Sequence, residues 1–243
     1  MSDMKRIDVL GVEFDNLNMQ EAVDAALTAM NERRGTWIVT PNPEIVMLCR
    51  ENEQLAKAAY EAELVIPDGV GIIYGAKILG TPLKEKLPGI DFATELMKIM
   101  AQTNGRVYLF GAKPGVAEKA AENLVLAHPG LIVCGTHDGY FSDDAPIIAD
   151  INEKKPDLLL VCLGAPKQEL WMSSHADELD VGLMIGLGGS LDVFAGVVQR
   201  APEFWQRMGL EWLYRLLKEP KRIGRMMKLP QFLFTVLGQK LRK

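Results

Sequence analysis

The sequence is poor in residues that form disulfides or bind transition metals. Only three of its 243 residues are cysteines, and only three are histidines. Cys49, Cys134 and Cys162 are far apart, lie in apolar runs and form no CxxC pair, and no HExxH motif occurs. A disulfide framework and a zinc site are therefore not expected, and we predict reduced thiols that pack in the core.

Long apolar runs are also missing. No stretch approaches the roughly 18–20 apolar residues that are needed to span a bilayer. The start, MSDMKRIDVLGVEF, lacks the apolar segment of a signal peptide. We therefore expect a cytoplasmic protein without transmembrane helices.

The sequence also contains no complete nucleotide-binding motif. The glycine-rich segments GAKPG and GLGGS lack the GK[ST] of a Walker motif, and neither matches GxGxxG cleanly. The segment FSDD contains adjacent acids but no D-x-D, so a clamp of metal and nucleotide is not indicated.

The charge is distributed unevenly along an otherwise ordinary composition. Hydrophobic residues make up 48% and charged residues 24%, and the length fits one large α/β domain with or without an appendage. From Arg200 onward, 11 Lys and Arg residues face three acidic residues, a local charge of +8 that leaves −13 on the first 199 residues. Such a basic tail indicates an anionic partner, and nucleic acid and an anionic membrane surface are the candidates.

Short apolar runs alternate with amphipathic segments over the first 198 residues. The opening RIDVLGVEFDNL predicts two short strands with a tight turn at Gly11, and Asn18 with Glu21 has the pattern of a capping box. Strand-then-helix units follow, with strands at TWIVT, ELVIP, RVYLF, LIVCG, DLLLVCL and VGLMIGL. We predict an α/β fold for residues 1–198, with an N-terminal β-hairpin and a mainly parallel, Rossmann-like sheet covered by helices on both faces.

Residues 199–243 differ in character from this domain. They are basic, rich in Trp and Met, and interrupted by Pro202, Pro220 and Pro230. We predict a helical appendage of two or three short helices.

Glycine, proline or polar residues follow nearly every predicted strand. In an open parallel sheet, ligands bind beyond the carboxyl ends of the strands. Glycine lets the backbone approach a ligand, and helix N-termini attract phosphate, so the pattern suits a nucleotide diphosphate. One such turn would be ordinary, but five in one sheet indicate a site. The residues concerned are Thr40, Asn42, Asp68, Gly69, Gly111, Gly115, Gly164, Pro166, Gln168, Glu169, Gly186, Gly188, Gly189 and Ser190.

Structural roles remain open for three of these residues. Asn42 before Pro43 makes a good N-cap with proline at the first helical position. Asp68 can likewise cap a helix that begins near Gly69. Gln168 can be a surface residue in a first helical turn.

Several motifs, in order along nearly the whole chain, resemble the WecG/TagA/CpsF family of bacterial glycosyltransferases, and within it the TagA type. They are TPNPEIV, VIPDGVGI, LPGIDF, GTHDGYF, LGAPKQELW, GLGGSLDVFAG and RAPEFWQRMGLEWLYRLLKEPKRIGR.

This resemblance implies an inverting transfer of N-acetylmannosamine from UDP-N-acetylmannosamine. The implied acceptor is the 4-hydroxyl of undecaprenyl-diphosphate-linked N-acetylglucosamine, in a β-1,4 linkage made during wall teichoic acid synthesis. The family's aspartate falls on Asp68, which we predict to be the general base. No metal and no other cofactor is implied.

The resemblance also implies roles for other residues. Thr40 and Asn42 would hold the donor sugar or the acceptor hydroxyl, and Gln168 would contact the donor. Lys86, where relatives are expected to have arginine, would steady the diphosphate without the bidentate fork of a guanidinium. The turns at Gly111, Pro166 and Gly188 are further predicted substrate contacts.

The tail matches the family motif at Arg215, Arg222 and Arg225. These arginines are predicted to face the acceptor's diphosphate and anionic headgroups, which would make the enzyme peripheral on the inner face of the cell membrane. The apolar contact would come from Trp205, Trp212, Leu213, Leu216, Leu217, Met226, Met227 and Phe232. The alternative is that these apolar residues pack on the core or on a partner subunit.

Other readings compete with this one. Related enzymes transfer the uronic acid form of N-acetylmannosamine or other hexoses, and no single residue decides the donor. A nucleotide-dependent oxidoreductase would want a clean GxGxxG and an acid about 20 residues later, and neither is present. A non-catalytic nucleotide-sugar-binding or RNA-binding module with a basic tail is a further alternative, although nucleic acid is not an expected partner of the family. The apolar helices permit self-association, and we expect a homo-oligomer.

Overall fold

The computed structural model describes residues 5–218, 220 and 223–242, without the side chains of Arg215, Arg225 and Met226. Its first element is the predicted hairpin of β1 (Arg6–Val9) and β2 (Val12–Asp15), which pair in antiparallel register. Helix α1 (Met19–Glu32) follows. It has the predicted capping box, in which Asn18 Oδ1 accepts from the Glu21 N–H at 2.9 Å and Glu21 Oε2 accepts from the Asn18 N–H at 2.8 Å.

A six-stranded parallel sheet forms the centre of the fold, as predicted. Its order is β4-β3-β8-β7-β5-β6, and every described neighbour pair is parallel. The central strands are buried along their full length because helices cover both faces, and their sequences are accordingly continuous apolar runs. The strands are β3 (Thr36–Val39), β4 (Leu64–Val65), β5 (Arg106–Gly111), β6 (Ile132–His137), β7 (Leu158–Cys162) and β8 (Leu183–Gly186).

Two apolar cores lie on the two faces of this sheet. One core contains side chains from the hairpin, α2 (Pro43–Cys49), α3 (Glu53–Tyr60), α4 (Val70–Leu79), α7 (Ala145–Lys154) and α8 (Lys167–His175). The other contains side chains from α1, α5 (Gly89–Ala101), α6 (Val116–Ala127) and α9 (Ser190–Phe194). The sequence pattern missed α3, α5 and α7, which lie between the units that it did predict.

The C-terminal segment is more helical than predicted. Its described part contains four helices, α10 (Glu203–Arg207), α11 (Glu211–Lys218), α12 (Ile223–Met226) and α13 (Lys228–Arg242), so the prediction of two or three short helices was wrong. No helix among the described residues is both long and apolar enough to cross a membrane.

Helix α13 packs on the body of the protein. Phe232 and Val236 are fully buried in the core that contains α4. A Cβ added at Gly75 of α4 would lie 2.7 Å from the Phe232 ring, so only glycine leaves room for this contact. The prediction that Phe232 contacts the membrane was therefore wrong, and the packing alternative holds for this residue.

Candidate active site

The carboxyl ends of β3, β4 and β8 meet at one edge of the sheet, and we call the space beyond the strand ends from β4 to β7 the crevice. The Thr40 hydroxyl, which is buried, donates to the Gly186 carbonyl at 3.0 Å. The Asp68 N–H donates to the Pro41 carbonyl at 3.2 Å. These two bonds bring the predicted catalytic residues to neighbouring strand ends, as the parallel sheet required.

The segment that leads into α5 closes this edge. A Cβ added at Gly89 would lie 3.0 Å from Thr40 Cγ2 and 3.0 Å from Leu187 Cδ2, so the start of α5 touches the ends of β3 and β8. The Leu87 N–H donates to the carbonyl of Pro67, the residue before Asp68, at 2.8 Å. Lys86 precedes Leu87 and is half-buried beside this crevice, and its contact with a diphosphate remains a prediction.

Asp68 is half-buried just beyond the carboxyl end of β4. The N-cap residue of α4 is Gly69, with φ +89°, so the reading of Asp68 as the N-cap was wrong. The pKa of Arg200 is raised chiefly by its hydrogen bonds to Asp91, and also by the nearby charges of Asp91, Glu211 and Asp68. Asp68 thus lies close to a guanidinium that the sequence analysis did not single out.

Asn42 has the structural role that its position allowed. Its Oδ1 accepts from the Ile45 N–H at 3.0 Å, with Pro43 at the first position of α2. A Cβ added at Gly69 would lie 3.9 Å from the Asn42 Cβ, so the cap stands beside the turn that carries Asp68. Capping is confirmed, and contact with a substrate stays a prediction.

Gln168 joins two turns from inside the protein. It is 2% exposed, so the alternative of a surface position was wrong. Its Oε1 accepts from the Gly188 N–H at 2.8 Å and from the Gly164 N–H at 3.2 Å, while its Nε2 donates to Glu169 Oε1 at 2.8 Å. Gln168 therefore holds the turns at Gly164 and Gly188, and its predicted direct contact with the donor stays a prediction.

Glu169 completes this network as a buried carboxyl group. It is 1% exposed, and its Oε2 has no hydrogen-bond partner among the described residues. Burial raises the pKa of Glu169, which favours the neutral acid.

The glycines of the crevice differ in what surrounds them. Gly164 and Gly188 have positive φ, and a Cβ at either would meet no atom within 4 Å, so both border open space. A Cβ at Gly111 would lie 2.3 Å from the Cys162 carbonyl oxygen, so the close approach of β5 to β7 accounts for glycine there. Pro166 is the N-cap residue of α8. Substrate contacts at Gly111, Pro166 and Gly188 remain predictions.

A cleft of about 270 Å³ opens beyond the ends of β5 and β7. Helix α6 leaves β5 toward one face of the sheet and α8 leaves β7 toward the other, which makes this a topological switch point, the usual place for a ligand. Tyr140 lies in the motif GTHDGYF and Asp192 in GLGGSLDVFAG, but neither residue was predicted to belong to the site. The cleft is lined by Ala112, Lys113, Gly139, Tyr140, Cys162, Leu163 and Asp192.

A larger open cleft of about 650 Å³ lies between α7 and α8 and includes Asp144, His175 and Glu178. None of the residues that line it borders the strand ends described above. We therefore place the site at the strand ends, where the polar side chains converge.

The structure describes the three predicted tail arginines only in part. Arg215 belongs to α11 and Arg225 to α12, but their side chains lie outside the described atoms, and Arg222 lies outside the described residues. Their predicted contacts with a diphosphate and with headgroups stay predictions.

The chain is similar to known proteins over almost its whole length. Three proteins from Staphylococcus aureus strains MW2, NCTC 8325 / PS 47 and COL are each 35% identical to this chain over 242 residues. The alignments cover 98% of this chain and 95% of each relative, and each relative is named N-acetylglucosaminyldiphosphoundecaprenol N-acetyl-beta-D-mannosaminyltransferase. The profile of the glycosyl transferase WecG/TagA/CpsF family matches residues 7–243, and the chain therefore belongs to this family of glycosyltransferases.

Proposed function

We propose that this glycosyltransferase moves N-acetylmannosamine from UDP-N-acetylmannosamine to the 4-hydroxyl of N-acetylglucosaminyl-diphosphoundecaprenol. The names of the relatives support the transferred sugar and the lipid-linked acceptor. The observation that carries the chemistry is the position of Asp68, half-buried beyond the carboxyl end of β4, at the same sheet edge as the cleft at the switch point.

The crevice has the length of an extended nucleotide sugar. Three strand spacings separate β7 from β4, and at about 4.8 Å each they span roughly 14 Å. The nucleoside lies in the cleft, where Tyr140 offers a ring for stacking and Asp192 an acceptor for ribose hydroxyls. The diphosphate passes the open turns at Gly164 and Gly188, and the sugar reaches the ends of β3 and β4.

The reaction is a direct displacement. Asp68 takes the proton of the acceptor 4-hydroxyl, and the oxygen attacks the anomeric carbon on the face opposite UDP. A new glycosidic bond forms as the bond to UDP breaks, so the anomeric configuration inverts and UDP leaves with the bonding electrons. Thr40 binds the sugar by accepting a hydrogen bond at its hydroxyl oxygen, since its O–H already donates to the Gly186 carbonyl.

The charge of the departing UDP needs fixed partners. Lys86 precedes Leu87, whose N–H bonds the Pro67 carbonyl next to Asp68, and Lys113 lines the nucleoside cleft, so these two lysines are the cations proposed to meet the diphosphate. Gln168 acts indirectly, because it fixes the Gly164 and Gly188 turns against which the diphosphate lies.

The outer surface of the tail suits a peripheral membrane enzyme. Helix α13 buries one side on α4 and leaves Phe234, Leu237 and Leu241 exposed, with Lys240 and Arg242 in its last turn. Apolar and cationic side chains together favour the interface of an anionic bilayer. Exposed Ile223 and Met227 in the preceding segment add to this surface.

Self-association remains part of the proposal. Val125 and Leu126 of α6 and Ile132 of the edge strand β6 are exposed apolar residues. They support a contact with a second copy of the chain, and sedimentation velocity at several protein concentrations would test it.

The transfer is tested by measuring UDP release from purified enzyme with UDP-N-acetylmannosamine and a short-chain polyprenyl-diphosphate N-acetylglucosamine. We expect release only when both substrates are present, and a β-1,4 disaccharide as the product. Parallel reactions with the uronic acid form and with UDP-N-acetylglucosamine test the donor. Faster transfer from either of these, or no sugar transfer at all, would contradict the proposal.

The membrane contact requires substitutions rather than a truncation, because removal of the tail would also remove Phe232 from the core. Replacing Phe234, Leu237 and Leu241 together by serine should weaken binding to vesicles that contain anionic phospholipid. Replacing Tyr60, an exposed aromatic residue at the end of α3, serves as the control. Unchanged vesicle binding by the triple variant would exclude this surface.

A further inference from the structure

Arg200 forms a two-point ion pair with Asp91. Its Nη2 donates to Asp91 Oδ2 at 2.7 Å, and its Nη1 donates to the other carboxylate oxygen. Arg200 lies in the segment between α9 and α10, whereas Asp91 lies in the first turn of α5, at the edge of the crevice. The pair therefore joins the beginning of the tail to the wall of the site, and its planar geometry fixes orientation as well as distance.

Arg200 also reaches the next tail helix. Its Nε lies 3.8 Å from Glu211 Oε1, at the first residue of α11, and this buried Nε has no hydrogen-bond partner among the described residues. The guanidinium thus stands between carboxylates of α5 and α11, with the charge of Asp68 close by.

A second contact places the same helices beside the catalytic residue. In the turn between α10 and α11, Gly209 has φ +69°, and a Cβ there would lie 3.1 Å from three side-chain atoms of Val70. Val70 is the first residue of α4, two positions after Asp68. The rings of Trp205 and Tyr214, 5.8 Å apart, hold α10 and α11 together.

We propose that the Arg200–Asp91 pair is a positioning clamp that seats α10 and α11 against the Asp68 end of the crevice. It rests on the proposed function only for the role of Asp68. The seated helices form the wall on the side from which the lipid-linked acceptor enters. The nucleoside cleft lies beyond β5 and β7, on the far side of β3 and β8 from Asp68, and its lining includes neither Arg200 nor Asp91.

The test compares Arg200→Gln, Asp91→Asn and the double variant with wild type. Roughly 10- to 100-fold lower kcat is expected in each, since small misplacements of reacting groups cost this much. The KM for the donor should stay within about twofold. The double variant should be no worse than either single one, because both changes break one interaction. Arg200→Lys should restore little, since lysine lacks the two-point geometry.

Hydrogen–deuterium exchange gives a readout that is independent of activity. Peptides from residues 203–218 should exchange faster in Arg200→Gln than in wild type, whereas those from β5 and β7 should not change. Arg6→Gln is the control, because the Arg6 side chain is about as exposed as that of Arg200 and pairs with an aspartate, Asp15, at 3.1 Å, but on the N-terminal hairpin.

The outcomes separate the clamp from the proposed function. Unchanged exchange over residues 203–218, additive losses in the double variant, or a raised donor KM with normal kcat would each overturn the clamp. A wild-type enzyme that transfers no N-acetylmannosamine would overturn the proposed function, while the exchange experiment would still decide whether Arg200 seats the helices.

Discussion

The two ends of the crevice are held in different ways. At the cleft end, the buried amide of Gln168 binds two turns from within the core, backed by the buried Glu169. At the Asp68 end, a partly exposed ion pair and a glycine contact hold the helices of the tail. A buried network is disrupted only when the fold opens, whereas exposed ion pairs are individually weak. The cleft end is thus built into the core, whereas the Asp68 end is assembled in part from the tail.

The largest expected effect separates chemistry from binding. Asp68→Ala should lower kcat by roughly 10²- to 10⁴-fold, because the acceptor hydroxyl loses its base. Asp192→Ala should instead raise the KM for the donor, since Asp192 lines the nucleoside cleft. Steady-state kinetics with both substrates varied would show the contrast, with Asp24→Ala on the exposed side of α1 as control. Near-normal kcat in the Asp68 variant would remove that residue from the mechanism.

The next effect tests whether the donor end is built into the core. Gln168→Ala leaves the N–H groups of Gly164 and Gly188 without their acceptor, which should lower the free energy of unfolding by about 1–3 kcal/mol. The KM for the donor should rise as the turns loosen. Urea denaturation and kinetics measure the two quantities, and the exposed Gln20→Ala is the control. Loss of donor affinity without loss of stability would indicate a direct contact instead.

A smaller effect concerns pH and the buried acid. Because the native protein raises the pKa of Glu169 above 4.5 by burial, the unfolded chain releases its proton first as the pH rises. The free energy of unfolding therefore falls from about pH 4.5 up to the raised native pKa. Glu169→Gln keeps an acceptor for Gln168 but cannot ionise, so its stability relative to wild type should increase across this window. Urea denaturation at several pH values measures the free energies of unfolding, with the exposed Glu13→Gln as control. A difference between Glu169→Gln and wild type that does not change with pH would contradict this account.

The smallest expected effect is a difference in reactivity among the three thiols of the native protein. Burial raises the pKa of both Cys162 and Cys49 to about 12. Cys162 also lines the cleft beyond β5 and β7. Neither thiol should react with a maleimide at pH 8 until the protein unfolds, whereas the half-buried Cys134 should react sooner. Mass spectrometry of labelled peptides would measure the order. Rapid labelling of Cys162 would mean that the cleft end opens in the native state.

Much of the sheet and part of the site could be predicted from sequence. Parallel strands buried on both faces have continuous apolar sequences, and residues after their ends must share one edge, which brought Thr40 and Asp68 together. The N-caps at Asn18 and Asn42 are formed by residues within three positions, so the local sequence is enough to predict them. Whether Asp68 caps α4 could be decided only from the backbone, which places Gly69 at the N-cap, and its catalytic role stays a prediction.

Other parts of the site could not be predicted for physical reasons. Asp91 and Arg200 are 109 residues apart, and nothing in either neighbourhood indicates the partner. Gln168 is polar, and its burial depends on N–H groups from two separate turns. Phe232 lies in an amphipathic basic segment, whose pattern is the same whether its apolar side meets lipid or protein.

The seating of Phe232 at Gly75 also bears on how the chain is made. Helix α13 comes after all the described strands in chain order, so a ribosome synthesises it later than the sheet. Until then the groove on α4 has no cover, and a nascent chain presents bare apolar surface to chaperones. A chain that stops before Phe232 would therefore leave the Gly75 side of α4 uncovered, and we expect proteases to cut such a product faster than the wild type.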